Sequence, residues 1–113
     1  MTQEMKERVY IYDSTLRDGA QTRGVDFNVI DKQDIALELD KFGIDYIEGG
    51  WPGANPTDDE FFGKQPKLKT SKLVAFGMTR RAGRSAANDP NLNALLDADT
   101  KHVCIVGKSS TFQ

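Results

Sequence analysis

The 113-residue sequence holds a single cysteine, Cys104, and a single histidine, His102. One thiol excludes an internal disulfide framework and any CxxC metal or redox site, and suits a reducing compartment. A charge bias is also missing: fifteen Lys and Arg stand against seventeen Asp and Glu, a formal net charge of −2. Neither a dominant nucleic-acid footprint nor a general attraction to anionic membrane follows from that balance. No apolar run approaches the roughly 20 residues that span a bilayer, and Met1 to Arg8 lacks the apolar centre of a secretory signal. These absences predict a cytoplasmic chain. What is present, 38% hydrophobic and 28% charged residues, is ordinary for one small packed domain.

Val9 to Tyr12 is an uncharged, β-branched and aromatic run, which predicts a first strand buried on both faces. Ile35, Leu39 and Phe42 recur at i, i+4 and i+7, with Asn28 placed to cap a helix and Gly43 to stop it. Ile44 to Glu48 reads as a second strand. Asn55 and Pro56, followed by Thr57-Asp58-Asp59-Glu60, open a second helix with a cap, a proline at the first position and acids in the first turn. Pro66 closes it. Lys72 to Gly77 reads as a third strand, Asp89-Pro90 starts a third helix carrying Leu92, Leu95 and Leu96, and His102 to Val106 reads as a fourth strand.

The resulting βαβαβαβ order predicts parallel strands with right-handed crossovers, in either a barrel or an open doubly wound sheet. Connections from helix to strand are short. Those from strand to helix, Asp13 to Phe27, Gly49 to Ala54 and Met78 to Asn88, reach or exceed the usual few residues and emerge at the carboxyl edge, where parallel α/β proteins place their chemistry. A complete eight-stranded barrel takes about 250 residues. The expectation is therefore residues 1–113 as part of a barrel, its first four strands and three helices; a complete open four-stranded sheet is the competing reading.

Asp13-Ser14-Thr15-Leu16-Arg17-Asp18-Gly19-Ala20-Gln21 follows the first strand directly, so its polar groups crowd that edge. A carboxylate such as Asp18 can hold a hard divalent cation, and the Arg17 guanidinium can grip a carboxylate with two parallel hydrogen bonds. Local salt bridges around a turn at Gly19 would give the same residues a purely structural role.

This segment resembles the DxTLRDGxQ signature of the metal-dependent TIM-barrel acyl-CoA-condensing synthases, the family of isopropylmalate, homocitrate and citramalate synthases. The resemblance extends through Asp45 to Pro56, Ala75 to Arg81 and Asp89 to Leu92. Glu48-Gly49-Gly50-Trp51-Pro52-Gly53 and Phe76-Gly77-Met78-Thr79-Arg80-Arg81 are most similar to the citramalate branch. It implies the N-terminal half of a TIM (β/α)8 barrel and an acyltransferase that condenses acetyl-CoA with a 2-oxo acid. Pyruvate is the first expectation; isopropylmalate or homocitrate synthesis is the alternative. The resemblance further implies a divalent metal (Mg, Mn or Zn) held by Asp18, an oxyanion stabilised by Arg17, and support from Glu48 and Gln21. Glu48 would equally serve as a buried carboxylate paired with Arg17 for structure alone.

The family completes its metal site with a His-x-His pair and takes further groups from the second half of the barrel, and this sequence has neither. A lone carboxylate falls short of the three or four protein ligands of zinc-type sites, so the 113 residues alone are expected to be inactive. His102, near the start of a strand, is expected on the side opposite the mouth. Arg80, Arg81 and Arg84 form a basic cluster; Arg80 is the candidate substrate contact, and Arg84 reads as solvated. Gly107-Lys108-Ser109 lacks the glycine a P-loop needs five residues earlier, Gly49 to Gly53 fails the GxGxxG spacing, and Cys104 reads as core. A reading of another class is a non-catalytic half-barrel module. Its two open edges and apolar inner face favour pairing with another copy, a homo-oligomer, or with a missing half. No nucleic-acid or membrane partner is expected.

Overall fold

In the computed structural model, residues 9–78 and 90–106 are described. Four parallel strands form one sheet, in chain order β1-β2-β3-β4: β1 Tyr12–Asp13, β2 Tyr46–Gly50, β3 Lys72–Met78 and β4 His102–Val106. Helices α1 (Val29–Lys41), α2 (Pro56–Gly63) and α3 (Pro90–Asp97) make the crossovers. Each strand pairs with its predecessor, so the sheet winds in one direction. Right-handed crossovers then carry all three helices to one face, the arrangement of a barrel wall rather than of a doubly wound sheet.

Helix boundaries follow local chemistry. The Asn28 side chain accepts from Asp31 N at 2.8 Å while Asp31 Oδ2 accepts from Asn28 N at 3.1 Å, a reciprocal capping box. Gly43, at φ 85°, takes the left-handed conformation that ends α1. Asn55 caps α2 through Asp58 N, and Pro56 occupies its first turn.

The core lies between sheet and helices, where Ile47 and Ala75 meet Leu16, Ala36, Phe61, Phe62, Leu95 and Ala98. Glycines set its depth. A Cβ on Gly49 would lie 2.7 Å from the Phe61 ring and 3.0 Å from Leu73, so α2 packs against β2 only because that side chain is absent. Because strand side chains alternate, Tyr46 and Glu48 project from the opposite, inner face, where Tyr46 meets the rings of Tyr10, Tyr12 and His102.

Several expectations are corrected. Val9 to Tyr12 is exposed rather than buried on both faces, because β1 is an edge strand and only Tyr12–Asp13 pairs as strand. The fourth strand is likewise an edge, with Val103, Ile105 and Val106 exposed and Cys104 half-buried rather than core. Phe42 is 86% and Leu96 77% exposed. On α1 the inward arc instead runs through Lys32, Ala36 and Asp40, all buried, with Ile35 and Leu39 packed at its side. β2 starts two residues later than expected and continues through Gly49 and Gly50, so Glu48 lies inside the strand and the following loop opens at Trp51. Arg80, Arg81, Arg84, Asp89 and the Gly107-Lys108-Ser109 segment lie outside the described residues.

Candidate active site at the carboxyl edge of β1 and β2

The loop after β1 is built to aim one side chain. Asp13 accepts from Thr15 N at 2.9 Å and Thr15 Oγ1 at 3.0 Å, and the Ser14 carbonyl accepts from the backbone N–H of Arg17, Asp18 and Gly19. Leu16 is fully buried in the core. With its neighbour plugged into the helix side, Arg17 is left to face the inner side of the sheet. There its Nε donates to Glu48 Oε1 at 2.6 Å, and its guanidinium carbon lies 3.9 Å from the centre of the Phe76 ring. A planar cation fixed at one edge by a carboxylate and over one face by an aromatic ring has little freedom left.

Glu48 is 1% exposed. Its second oxygen, Oε2, accepts a short hydrogen bond from the Tyr12 hydroxyl. Partial burial of that phenol, its hydrogen bond to the Glu48 carboxylate and contact with Cys104 hold Tyr12 far above the ordinary tyrosine range, so its oxygen remains a donor. Asp18 begins the short turn Gly19–Gln21. Its side chain is 65% exposed, and Arg17 Nη1 lies 3.9 Å from its carboxylate. It can offer an oxygen to a cation, but among the described residues no three His, Cys, Asp or Glu side chains converge to hold one. The described residues do not amount to a metal site by themselves.

Beside Arg17 opens a cavity of about 250 Å³, walled by the loops after β1 and β2, with Gln21, Lys32, Trp51 and Asp58 on its lining. Lys32, 1% exposed, donates a short hydrogen bond to Asp58 Oδ1. Asp58 Oδ2 accepts from Trp51 N at 2.9 Å and from Asn55 Nδ2 at 3.2 Å. A Cβ on Gly50 would sit 2.7 Å from the Asp58 carboxyl carbon, so the glycine admits this carboxylate. The indole of Trp51 stands edge-on to Phe76, 5.2 Å between centroids.

The structure thus brings together Arg17 and Glu48, with Asp18 and Gln21 adjoining; His102, expected on the side opposite the mouth, is level with Glu48 in the sheet register through Val74 and meets the Tyr46 ring edge-on, 5.5 Å between centroids. Arg80 lies outside the described residues. Sequence reading gave no site role to four participants. Tyr12 was visible only as part of an apolar run, Phe76 only as strand and as part of a matched stretch, Asp58 only as an acid in the first turn of α2, and Lys32 was not singled out. One signal was available for Phe76: its neighbours Ala75 and Gly77 are small, as the helix-packed face demands, which assigns the large ring to the other face.

A 107-residue stretch is 55% identical to the (R)-citramalate synthase of Aquifex aeolicus, covering 93% of this chain and 20% of that protein. The (R)-citramalate synthase of Streptomyces coelicolor is 50% identical over 111 residues, 96% of this chain and 21% of its own length. The 2-isopropylmalate synthase of Pelotomaculum thermopropionicum is 54% identical over 54 residues, 48% of this chain and 11% of its own. The chain spans about a fifth of the length of these citramalate synthases. With residues 8–113 matching the model of the HMGL-like family, and the barrel-type sheet described above, the chain belongs to the HMGL-like family.

Proposed function

We propose that the protein condenses acetyl-CoA with a 2-oxo acid, pyruvate giving citramalate being the first candidate, and that residues 1–113 are four strands and three helices of its catalytic barrel. The observation that carries this reading is the Arg17 guanidinium, tied by Glu48 and stacked on Phe76 beside the cavity. Extended similarity to citramalate synthases supports the choice of pyruvate over the longer 2-oxo acids.

The reaction needs a base to take a proton from the acetyl methyl group, attack of the resulting carbanion equivalent on the keto carbon, and hydrolysis of the thioester by water to free coenzyme A. As the new carbon–carbon bond forms, the keto oxygen gains a full negative charge. A cation already in place beside that oxygen needs no reorganisation when the charge appears, and is worth most where water is excluded. Arg17 is proposed for this role. Glu48 has both oxygens engaged by Tyr12 and Arg17 and is assigned to holding Arg17. Gln21, exposed on the rim of the cavity, is assigned a polar contact to the substrate, and Arg80 is kept as a second anionic-group contact. A divalent cation, taking Asp18 as one of its ligands, would polarise the keto group when bound; the described residues by themselves supply too few ligands to hold it. No described residue is assigned as the base.

Among the described residues no helix is long and apolar enough to cross a membrane. A cytoplasmic, homo-oligomeric enzyme is kept as a proposal. The test is release of free coenzyme A by the whole protein from acetyl-CoA with pyruvate, 2-oxoisovalerate or 2-oxoglutarate, with and without Mg²⁺ or Mn²⁺. Turnover with pyruvate, lost in Arg17→Ala, is expected. Turnover retained in that variant would remove Arg17 from the chemistry, and turnover with none of the three acids would end the condensing reading.

A further inference from the structure

The Glu48 carboxylate is held at two points by partners from different elements: Oε1 by Arg17, in the loop after β1, and Oε2 by Tyr12, in β1 itself. The terminal torsion of a glutamate is broad and roughly two-fold, so one hydrogen bond to a guanidinium nitrogen leaves the carboxylate plane free to swing and Arg17 free to swing with it. A second bond to the other oxygen removes that freedom.

We infer that Tyr12 is a positioning residue: its hydroxyl fixes the plane of the Glu48 carboxylate, and through Nε the carboxylate fixes the plane of the Arg17 guanidinium over Phe76. Three features carry this inference. The phenol is a neutral donor, so it orients Glu48 without competing for its charge, which stays with Arg17. The ring is itself braced, 6.3 Å from Tyr46 on the neighbouring strand, so the donor has a fixed origin. Finally, the guanidinium is constrained along the edge by Glu48 and across the face by Phe76, 3.9 Å away, and rotation of the carboxylate plane would lift it from the ring. Displacement of a catalytic group by about 1 Å costs on the order of 100-fold in rate, so an orienting bond two residues removed from the reacting atoms is within reach of the kinetics.

The inference rests on the condensing reading of the site, and the experiment separates the two. Tyr12→Phe, made in the whole protein, keeps the ring and removes the hydroxyl. Expected is a fall of about tenfold in kcat/KM for the 2-oxo acid, with KM for acetyl-CoA unchanged and the thermal midpoint lowered by no more than the loss of one hydrogen bond to a buried carboxylate. Because Tyr12 acts through Glu48, Tyr12→Phe combined with Glu48→Ala is expected to lose no more than Glu48→Ala alone. Unchanged kinetics in Tyr12→Phe, equal damage to both substrates, or losses that multiply in the double variant would each overturn the inference while leaving the condensing reading intact. If the unaltered protein condenses no 2-oxo acid, that reading falls, and a crystal structure of Tyr12→Phe still decides the positioning role. A rotated Glu48 carboxylate with Arg17 shifted off Phe76 supports it, and an unmoved pair refutes it.

Discussion

Lys32 and Asp58 form an ion pair between α1 and α2, with the ammonium 1% exposed and the carboxylate also accepting from Trp51 N and Asn55 Nδ2. The pair therefore fastens the loop that carries Trp51 to both helices. Removing one partner leaves the other charge uncompensated at a largely buried position, with side-chain exposures of 1% for Lys32 and 11% for Asp58. Lys32→Met is expected to cost about 3–5 kcal/mol, read as a lowered midpoint in urea unfolding of the whole protein. A change below about 1 kcal/mol would mean that Asp58 is satisfied without its cation.

Arg17 offers a planar fork where lysine offers a point charge. If the plane matters, Arg17→Lys keeps the charge and still loses activity: coenzyme A release is expected to fall about 100-fold or more. Circular dichroism and thermal midpoint should remain close to the unaltered protein, since Glu48 keeps a cationic partner. Near-full activity in Arg17→Lys would reduce the role of Arg17 to charge alone.

Asp40 connects the end of α1 to the segment before β3. Its carboxylate accepts from Lys69 N, Thr70 N and Ser71 N, at 2.7, 3.0 and 2.8 Å. Burial by itself would raise its pKa, but these hydrogen bonds to the charged form win and hold it well below the usual carboxylate range. The unfolded reference is 3.8. A depressed folded value means that the contribution is complete above that reference and drains away as pH falls below it. Asp40→Asn, which turns an amide donor toward backbone donors, is expected to lose about 2–3 kcal/mol at neutral pH and to show a shallower fall in stability below about pH 4. Parallel acid limbs in the two proteins would contradict this.

Gly49→Ala introduces a methyl group 2.7 Å from a fully buried phenyl ring. Overpacking of this kind costs about 1–3 kcal/mol, measurable by thermal unfolding. Pairing it with Phe61→Leu should return part of the loss, because the obstructing edge is then gone.

The fold was largely legible because its boundaries are written in residues with a single local meaning: Asn28 and Gly43 around α1, Asn55 and Pro56 at the head of α2. The arc of α1 that turns inward was not. Hydropathy pointed to Phe42, whereas the buried positions include Lys32 and Asp40, and these are affordable only because Asp58 and three backbone amides 29 to 31 residues away receive them. Such partners are invisible to local periodicity. The same holds for the site: Arg17 and Glu48 could be named from the segments that hold them, but their junction depends on the register that sets Asp13 against Ile47, and the hydroxyl of Tyr12 enters only once both strands are in place.

On β2 the helix-packed residues Ile47 and Gly49 alternate with Tyr46 and Glu48, which serve the inner face. Folding and chemistry are thus interleaved at single-residue spacing along one strand yet separated by its thickness. Substitutions on the inner face leave the helix-packed set in place, so a barrel of this kind can alter the lining of its site without repacking the core between sheet and helices.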